Sequence, residues 1–420
     1  MTSWVEVSEQ RLVGNLRSFE TVLGPETAVL AVVKANAYGH GLEVCSAVLA
    51  SAGVPWLGVT CASEGARARR VLDHLGFARG GPRTPEILVM SGSFPEDVPA
   101  IVSNGLTPVV WTKDHVGWLA NAKGTKVHLE IDTGMSRQGV ELGRPLEEIL
   151  ASISSAGLVL DGVSTHFLAA ELAHSEMTEQ QQIRFEQAVG HVRAWVKSGT
   201  ARGRVSPMWV HAGSSSTVDN PPQKFPWLAK IAATIGARAM VRSGIALYGY
   251  CLPIEQLPIA TKVPGKGPVE PRLRERLQPV MTWKTKLLAL REIDKNDAVG
   301  YGPSFIATGP MRLGLLPVGY ADGLRRELSS TNRRPGGWAM VLGRDPKEWR
   351  GQGRMPDRTF LKAPIVGRVS MNLTIVDVSA VDDVAVGDDV VLLGDGITAE
   401  DHAQLAKTIP YEILCGVRQR

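Results

Sequence analysis

The chain has 420 residues, which exceeds one ordinary domain and predicts two, one of them large. Apolar residues at 44%, charged residues at 21% and a net charge of +4 are typical of a globular protein without a nucleic-acid surface. No apolar run has membrane-spanning length, and the first fifteen residues lack the apolar core of a secretory signal. The four scattered cysteines favour free thiols in a reducing compartment, so we expect a cytoplasmic protein.

Eight strand-like apolar segments follow one another along the first part of the chain, each succeeded by a stretch with helical periodicity. They are residues 28–34, 56–59, 86–90, 107–111, 126–131, 158–164, 209–212 and 239–242. Eight regular strand–helix units predict an α/β fold, a (β/α)8 barrel over residues 10–250. A doubly wound open sheet is the alternative.

Residues 251–420 have a different character and predict a second, mainly β domain. An extended connection rich in Pro, Gly and charge leads to short β-type segments. These segments are 280–293, 312–318, 363–378 and 390–393. The polar stretch 328–359 is expected to form an exposed loop or a hairpin insertion. Residues 1–9 alternate like a short strand and are a candidate strand of this second domain.

Catalytic residues of such barrels lie at the carboxyl ends of the strands. The polar residues at these ends are Lys34, Asp132 with Arg137, His166, the serines 214–216, and Arg242. Lys34 closes a buried strand, where an ammonium is costly unless it is paired or used chemically. One such use is a Schiff base with an aldehyde, and the alternative is a lysine that extends from a strand tip to water.

Two segments could bind a phosphate. The serine run 214–216 lies at a strand-to-helix turn, and Arg242-Ser243-Gly244-Ile245 follows the eighth strand, where barrels commonly hold phosphates. Taken singly, the serines could be a flexible loop or a helix cap, and the arginine a surface ion pair. Both lie at the same end of one barrel, which favours the phosphate site.

Four segments of the barrel resemble the alanine racemases, a family that uses pyridoxal 5'-phosphate (PLP). They are KANAYGHG at 34–41, DTGMSRQG at 132–139, THF at 165–167 and RSGIALYG at 242–249. The resemblance implies that Lys34 carries PLP, that Arg137 contacts cofactor and substrate carboxylate, and that Arg242 faces the pyridine nitrogen. It also implies further cofactor contacts from Tyr38, His166, Ser215, Gly244 and Ile245.

The second domain carries further matches to this family. They are VGYG at 299–302, PVGYADG at 317–323, VGRVSMN at 366–372 and the Tyr-Glu pair at 411–412. The resemblance makes Tyr301 the second catalytic base and places Tyr320 at the substrate entrance. Met371 would offer its backbone N–H to the substrate, and Tyr411 would reach the phosphate.

Three positions depart from the family pattern. Glu130 stands where the family commonly has a lysine that is often carbamylated, and a glutamate provides that negative charge directly. Ser214 replaces a usual asparagine and Asn372 a usual aspartate, so the specificity for the substrate is left open.

The resemblance implies a two-base racemase that interconverts L-alanine and D-alanine, with Lys34 on one face of the substrate and Tyr301 on the other. It implies a homodimer in which Tyr301 serves the partner's site, and no metal ion. The cellular role is D-alanine supply for peptidoglycan or, alternatively, a catabolic route.

Three alternatives remain open. The first is a racemase of serine or of broader specificity. The second is a PLP decarboxylase of the same fold, which generally has a carboxylate where Arg242 stands. The third is a non-enzymatic PLP-binding homeostasis protein, a class that resembles the barrel alone.

Overall fold

A computed structural model describes residues 3–198, 208–220, 225–256, 268–345 and 357–418. The chain divides into two compact units. The barrel unit comprises Glu9–Ala37 and Gly41–Gln278, and the C-terminal unit comprises Met1–Ser8, Tyr38–His40 and Pro279–Arg420. The main boundary lies after residue 278, whereas the sequence predicts it after residue 250.

Within the described ranges, no helix is both long enough and apolar enough to cross a membrane.

Strand β1, Ser3–Val7, belongs to the C-terminal unit. The next eight strands form a closed parallel barrel, as the sequence predicts. They are β2 Thr27–Val32, β3 Trp56–Val59, β4 Glu86–Val89, β5 Thr107–Val110, β6 Lys126–Glu130, β7 Val159–Ser164, β8 Trp209–His211 and β9 Arg238–Ser243. Strand β9 pairs with β2 and closes the barrel, with Leu30 opposite Arg242.

One helix precedes the first barrel strand, and the others follow the barrel strands. They are α1 Glu9–Leu23, α2 Leu42–Ser51, α3 Ala62–His74, α4 Val98–Asn104, α5 Lys113–Trp118, α6 Arg144–Ser155, α7 Glu176–Lys197, α8 Ser215–Asp219 and α9 Phe225–Ala233. In α1, Leu12, Leu16 and Phe19 recur at helical spacing and are fully buried, so this apolar stripe anchors the helix. Helix α7 begins where the Ser175 hydroxyl accepts the N–H of Thr178, a regular N-cap.

The C-terminal unit consists mainly of antiparallel sheets. Its strands are β1, β10 Met281–Lys286, β11 Ala289–Ile293, β12 Ala298–Val299, β13 Phe305–Ile306, β14 Met311–Leu316, β15 Trp338–Gly343, β16 Thr359–Pro364, β17 Thr374–Asp377 and β18 Asp389–Leu393. They form a five-stranded sheet in the order β1-β10-β18-β15-β16, a three-stranded sheet β11-β14-β17 and the hairpin β12-β13. Two helices, α10 Ala399–Ala406 and α11 Pro410–Gly416, complete the unit. The predicted second domain with mainly β structure is confirmed.

The stretch 328–359, predicted as a loop or hairpin insertion, contains the regular strand β15. Ala339 and Val341 of β15 are fully buried, and the strand pairs with both β16 and β18. The residues 346–356 of that stretch lie outside the described ranges.

Candidate active site

The segment after Lys34 forms a left-handed turn. Ala35, Asn36, Ala37 and Tyr38 have φ values of 52°, 53°, 54° and 52°. This conformation costs roughly 1–2 kcal/mol per residue for L-amino acids, so surrounding contacts must hold it. The N–H of Ala37 donates to the carbonyl of Val33 at 2.9 Å, and Asn36 accepts the N–H of Gly41 at 2.9 Å on its carbonyl oxygen. The half-buried Lys34 is thereby displayed just beyond the end of β2.

Arg242 is held by three acceptors at the carboxyl end of β9. Its Nη1 atom donates to Nδ1 of His211 at 2.9 Å. Its Nη2 atom donates to the carbonyl of Thr165 at 2.7 Å and to Nδ1 of His166 at 2.9 Å. A guanidinium has five donors in a fixed plane, so these bonds fix its orientation.

Charges around Arg242 act in opposite directions on its guanidinium. Burial lowers the pKa of Arg242, the Glu130 carboxyl opposes this effect, and the cation of Arg137 reinforces it. Three cations, Arg242, Arg137 and Lys34, face the two carboxyl groups of Glu130 and Asp132, which leaves this end of the barrel positive and suits an anionic ligand.

His166 is neutral over the physiological range. Burial lowers its pKa to about 3, and the nearby cations Arg242, Arg137 and Lys34 add to this effect. Because Arg242 can only donate, His166 Nδ1 must accept, and the single ring proton lies on Nε2. The ring can therefore stack on a ligand or donate from Nε2 without carrying a charge.

The loop that carries Arg137 is shaped by Asp132. The Asp132 carboxylate accepts the backbone N–H groups of Gly134, Met135 and Ser136 at 2.9, 2.9 and 3.1 Å. Ser136 adopts φ 56°, and the Arg137 side chain that follows is exposed. The acidic residue of this motif thus has a structural role, and it displays the arginine.

Gln181 of α7 joins this loop to the histidine segment. Its Nε2 atom donates to the hydroxyl of Thr133 at 3.1 Å and to the carbonyl of His166 at 2.9 Å. The hydroxyls of Thr133 and Thr165 lie 2.7 Å apart. Gln181 is not among the site residues predicted from the sequence. A glutamine in a helical segment gives no indication of which loops its side chain will contact.

Glu130 contacts Gln138. The Gln138 Nε2 atom donates to Glu130 Oε2 at 2.8 Å and to the carbonyl of Met90 at 3.2 Å. Burial raises the pKa of Glu130, and this effect outweighs the opposing attraction of Arg242. Arg137 also lowers the pKa of Glu130, but by less than Arg242 does. It is the residue that a negative charge at position 130 is expected to orient.

Ser215 and the segment after β9 gather donors in one place. The Ser215 hydroxyl, buried at the start of α8, accepts the N–H of Gly244 and of Ala246 at 3.2 Å each. Ile245 lies between these amides in sequence and is fully buried at the start of the short turn Ile245–Tyr248. Because the Ser215 hydroxyl accepts these two amides, its own proton remains to be donated, and a hydroxyl beside a backbone turn is a donor that phosphate groups use.

Tyr301 stands at the tip of the β12–β13 hairpin. It is 70% exposed, and the flanking Gly300 and Gly302 have φ values of 74° and 66°. A Cβ atom on Gly302 would lie 3.3 Å from Cζ of Arg368, so the guanidinium packs directly against this turn. The hairpin therefore presents a tyrosine hydroxyl outward from the C-terminal unit.

Tyr320 and Met371 lie on two segments that pack backbone to backbone. Tyr320 N–H donates to the carbonyl of Ser370 at 3.0 Å, and Ala321 N–H donates to that of Met371 at 2.9 Å. A Cβ atom on Gly319 would lie 2.2 Å from the Ser370 carbonyl oxygen. Both Tyr320 and Met371 are exposed. The two segments thus form one rigid edge of the C-terminal unit.

Tyr38 and Tyr411 contact each other within the C-terminal unit, with ring centroids 5.9 Å apart. Burial raises the pKa of Tyr38 far above its usual value, with Tyr411 and Cys415 adding to the effect. A Cβ atom on Gly39 would lie 2.2 Å from the carbonyl oxygen of Leu414 in α11. The Tyr38 hydroxyl is therefore a neutral donor.

Each unit thus collects one group of the residues predicted from sequence. The barrel unit holds Lys34, Arg137, His166, Ser215, Arg242, Gly244 and Ile245, and the C-terminal unit holds Tyr38, Tyr301, Tyr320, Met371 and Tyr411. Sequence reasoning missed His211, which fixes Arg242, although its place at the end of the seventh predicted strand was a usable signal.

Comparisons with known proteins bear on the whole chain. The alanine racemase N-terminal domain model matches residues 7–252, and the alanine racemase C-terminal domain model matches residues 280–420. The alanine racemase of Syntrophobacter fumaroxidans is 32% identical over 426 residues, covering 99% of this chain and 95% of that protein.

Solved structures agree in fold. The alanine racemase of Streptomyces coelicolor is similar with a TM-score of 0.72 and 27% identity, over 99% of this chain and 96% of that chain. The alanine racemase of Bartonella henselae, solved with covalently bound pyridoxal phosphate, has a TM-score of 0.70 at 23% identity over 100% and 98% of the two chains. The resemblance predicted from the motifs is confirmed, and the chain belongs to the alanine racemase family.

Proposed function

We propose that this protein interconverts L-alanine and D-alanine with bound PLP, using Lys34 and Tyr301 as the two acid–base groups. The observation that carries the proposal is the arrangement at the carboxyl ends of β2 and β9. These strands are paired neighbours, so Lys34 and the fixed guanidinium of Arg242 come from the carboxyl ends of adjacent strands of one closed barrel. An amine that can bind an aldehyde and a cation that can face a ring nitrogen are thereby brought together.

The residues of the barrel unit fit PLP. Lys34 would hold the aldehyde carbon, and Ser215 with the Gly244 and Ile245 amides would hold the phosphate. The Gly244 and Ala246 amides fix the Ser215 hydroxyl beside this backbone segment and leave its proton to be donated, which supports this assignment. Tyr38 and Tyr411 would complete the phosphate contacts with neutral hydroxyls. The covalently bound cofactor of the Bartonella protein is consistent with this reading.

Arg242 determines which reaction the cofactor favours. Bound PLP supplies an electron-withdrawing ring that acidifies the Cα–H bond of an amino acid. A guanidinium beside the ring nitrogen disfavours a second positive charge there, since two adjacent cations repel. Arg242 therefore limits how strongly the cofactor ring withdraws electrons. The remaining withdrawal is enough for a proton to be removed from Cα and returned to it. A decarboxylase would be expected to place a carboxylate at this position, so that alternative is disfavoured.

The remaining residues bind and orient the substrate. Arg137, exposed at the loop tip, would pair with the substrate carboxylate. The Lys34 amine takes or returns the Cα proton on one face, and the Tyr301 hydroxyl does so on the opposite face. Removal on one face with return on the other inverts the centre. The Met371 N–H would contact the substrate, and Tyr320 would line its entrance.

We infer further that the active form is a cytoplasmic homodimer in which Tyr301 acts on the partner's barrel. The hairpin tip with its 70% exposed tyrosine, together with the exposed Tyr320 and Met371, supports a surface that a second copy covers. A dimer also explains why an acid–base residue lies on an outward-facing turn.

The test of the chemistry is exchange of the Cα hydrogen of L-alanine in deuterated water, followed by NMR and chiral analysis. Wild type is expected to produce D-alanine with deuterium at Cα. Lys34→Ala should abolish cofactor attachment and exchange, and Tyr301→Phe should largely stop racemisation. Tyr320→Phe, which removes an exposed hydroxyl assigned to the entrance, should act mainly on KM.

Different outcomes separate the alternatives. Faster exchange of L-serine than of L-alanine would identify a serine or broad-specificity racemase. PLP binding without exchange of any common amino acid would identify a homeostasis protein and would leave Tyr301 without a catalytic role.

Coexpression of Lys34→Ala and Tyr301→Phe chains tests the dimer. If Tyr301 acts on the partner's barrel, each mixed dimer contains one intact site, and activity returns to about a quarter of wild type for random pairing. If the tyrosine acts within its own chain, no mixed site is intact and activity stays at the level of the separate variants.

A further inference from the structure

A file of four polar side chains runs through the interior of the barrel, where branched aliphatic residues usually pack. In order from the amino ends of the strands, the polar file is Asp161 on β7, His128 on β6, His211 on β8 and Arg242 on β9. Asp161, His128 and His211 are at most 2% exposed. The His128 ring also contacts Trp56 of β3, at 4.9 Å between centroids, which places it inside the barrel.

In the hydrogen bonds that join Arg242, His211 and His128, the donor and the acceptor of each bond can be assigned. Arg242 Nη1 can only donate, so His211 Nδ1 accepts it at 2.9 Å and the proton of His211 lies on Nε2. That Nε2 atom lies 2.9 Å from His128 Nδ1, which must therefore accept. The proton of His128 then lies on Nε2, which faces Asp161 Oδ2 at 3.8 Å, an electrostatic contact beyond hydrogen-bond distance. Both imidazoles are thus held in the tautomer with the proton on Nε2.

Both histidines are neutral in this arrangement. Burial lowers the pKa of His211 well below its usual value, and His128 and Arg242 add to the effect. Burial also lowers the pKa of His128, with Asp161 opposing. The Asp161 carboxylate lies at the far end, 3.6 Å from the Lys126 ammonium, which itself pairs with Glu86 at 3.0 Å. A charged cluster therefore closes the amino end of the polar file.

The backbone of the neighbouring strand β7 packs directly against the His128 ring. Gly162 of β7 lies against it, and a Cβ atom there would come within 2.6 Å of Cε1 and Nδ1. The pairing of β6 with β7 shifts between Val127 and His128, which is an irregularity at the same place. Only glycine at 162 leaves room for the ring, so the contact is built into the strands.

We propose that Asp161, His128 and His211 are positioning residues that set the orientation of Arg242 from the closed end of the barrel, by holding both imidazoles in a single tautomer. The carboxylate attracts the Nε2 proton of His128, which leaves Nδ1 free to accept from His211, and His211 in turn accepts from Arg242. Reversal of the His211 tautomer would point an N–H group at the guanidinium, and reversal of the His128 tautomer would point one at the Nε2–H of His211. In both places two donors would meet, and two donors cannot bond. This role presupposes the proposed function of Arg242, but its geometry can be tested without cofactor or turnover.

The experiment is long-range 1H–15N correlation NMR on protein labelled at its nine histidines, with His128→Asn and His211→Asn variants to assign the resonances. In the wild type, both rings should show a protonated Nε2 and an unprotonated Nδ1. Asp161→Asn removes the negative charge that favours a proton on His128 Nε2, so both rings should shift towards the Nδ1-protonated form. Asp219→Asn is the matched control, because that carboxyl is equally buried in the barrel unit and accepts the N–H groups of Leu273 and Arg274 outside the polar file.

Kinetics distinguish positioning from simple stability. Asp161→Asn should lower kcat for alanine by roughly 10- to 100-fold, with little change in KM. Losses of this size are typical when a residue that orients a metal ligand is replaced, and Asp161 is proposed to orient Arg242 in a comparable way. Asp219→Asn should leave kcat unchanged. If Asp161→Asn does not fold, His128→Asn, whose amide oxygen can accept from His211, should keep the His211 tautomer and most of kcat, whereas His128→Leu should lose both.

Two results would overturn the proposal. One is a wild-type protein with Nδ1-protonated His211, or an Asp161→Asn variant with unchanged tautomers. The other is a reversal of the tautomers that leaves kcat unchanged. A wild type without racemase activity would refute the proposed function instead, and the NMR result would still decide the arrangement of the polar file.

Discussion

The Nη2 atom of Arg242 donates to Nδ1 of His166 at 2.9 Å, and the same nitrogen donates to the carbonyl of Thr165 at 2.7 Å. With His211 on Nη1, one guanidinium joins the ends of three different strands. Lysine cannot make this set of bonds, because its ammonium is a single point without a planar fork.

Arg242→Lys should therefore retain the positive charge but lose the fixed orientation. We expect kcat for alanine to fall by roughly 10- to 100-fold. The matched control is Arg238→Lys on the same strand, where the guanidinium packs over Trp209 at 4.5 Å. Steady-state kinetics of both variants provide the measurement, and Arg238→Lys should leave kcat unchanged. An Arg242→Lys variant with the kcat of wild type would show that the charge at 242 needs no fixed direction.

Gln181 should be needed both for stability and for activity. Gln181→Leu leaves the Thr133 hydroxyl and the His166 carbonyl without their amide donor, so we expect a loss of about 1–3 kcal/mol in the free energy of unfolding. Displacement of His166 should also lower kcat. Gln180→Leu, at the exposed neighbouring position of α7, is the control and should be nearly neutral in both urea unfolding and kinetics.

A glycine inside α7 offers a stabilising substitution. Gly190 is exposed, and a Cβ atom there would have no heavy atom within 4 Å. Gly190→Ala should raise the free energy of unfolding by about 1 kcal/mol, since alanine loses less backbone entropy in a helix. Gly105→Ala should have the opposite sign, because Gly105 ends α4 with φ 58°. Urea titration of both variants measures the difference.

Stability should fall as the pH is lowered below neutrality. Burial lowers the pKa of His402 to about 4, with Asp401 opposing, and that of His166 to about 3. Unfolded histidine binds a proton near 6.5, so between about pH 6.5 and 4 the unfolded chain holds more protons than the folded one. The free energy of unfolding therefore rises with pH across this window and declines as the pH falls through it.

His402→Gln should remove one such histidine and flatten the slope by up to about 1.4 kcal/mol per pH unit. His74→Gln, at an exposed position at the end of α3, is the control and should leave the slope unchanged. Urea unfolding at a series of pH values measures both. An identical slope in wild type and His402→Gln would show that His402 is protonated alike in both states.

Much of the fold could be predicted because the eight barrel strands are short apolar runs bounded by turns. Strand β15 was not predicted by itself, although Trp338–Gly343 is an apolar run, because the polar residues, glycines and prolines on both sides of it indicate a loop or hairpin insertion. The left-handed turn after Lys34 could not be foreseen, because alanines at 35 and 37 disfavour positive φ and the single Asn36 between them indicates at most one left-handed residue.

The candidate site shows the same limit. Its motif residues could be named from the sequence, because each stands at a strand end within a distinctive segment. The contacts of Gln181, and the meeting of His128 with His211 across an intervening strand, depend on helix placement and barrel stagger. Neither is encoded in local spacing.

Strand β1 has a consequence for biosynthesis. Its pairing partner β10 begins at Met281, so the ribosome makes the whole barrel before β1 can be paired. At about 5–20 residues per second, this delay lasts on the order of tens of seconds. During that interval β1 is an unprotected strand on a nascent chain, and a chaperone that covers it should raise the yield of folded protein.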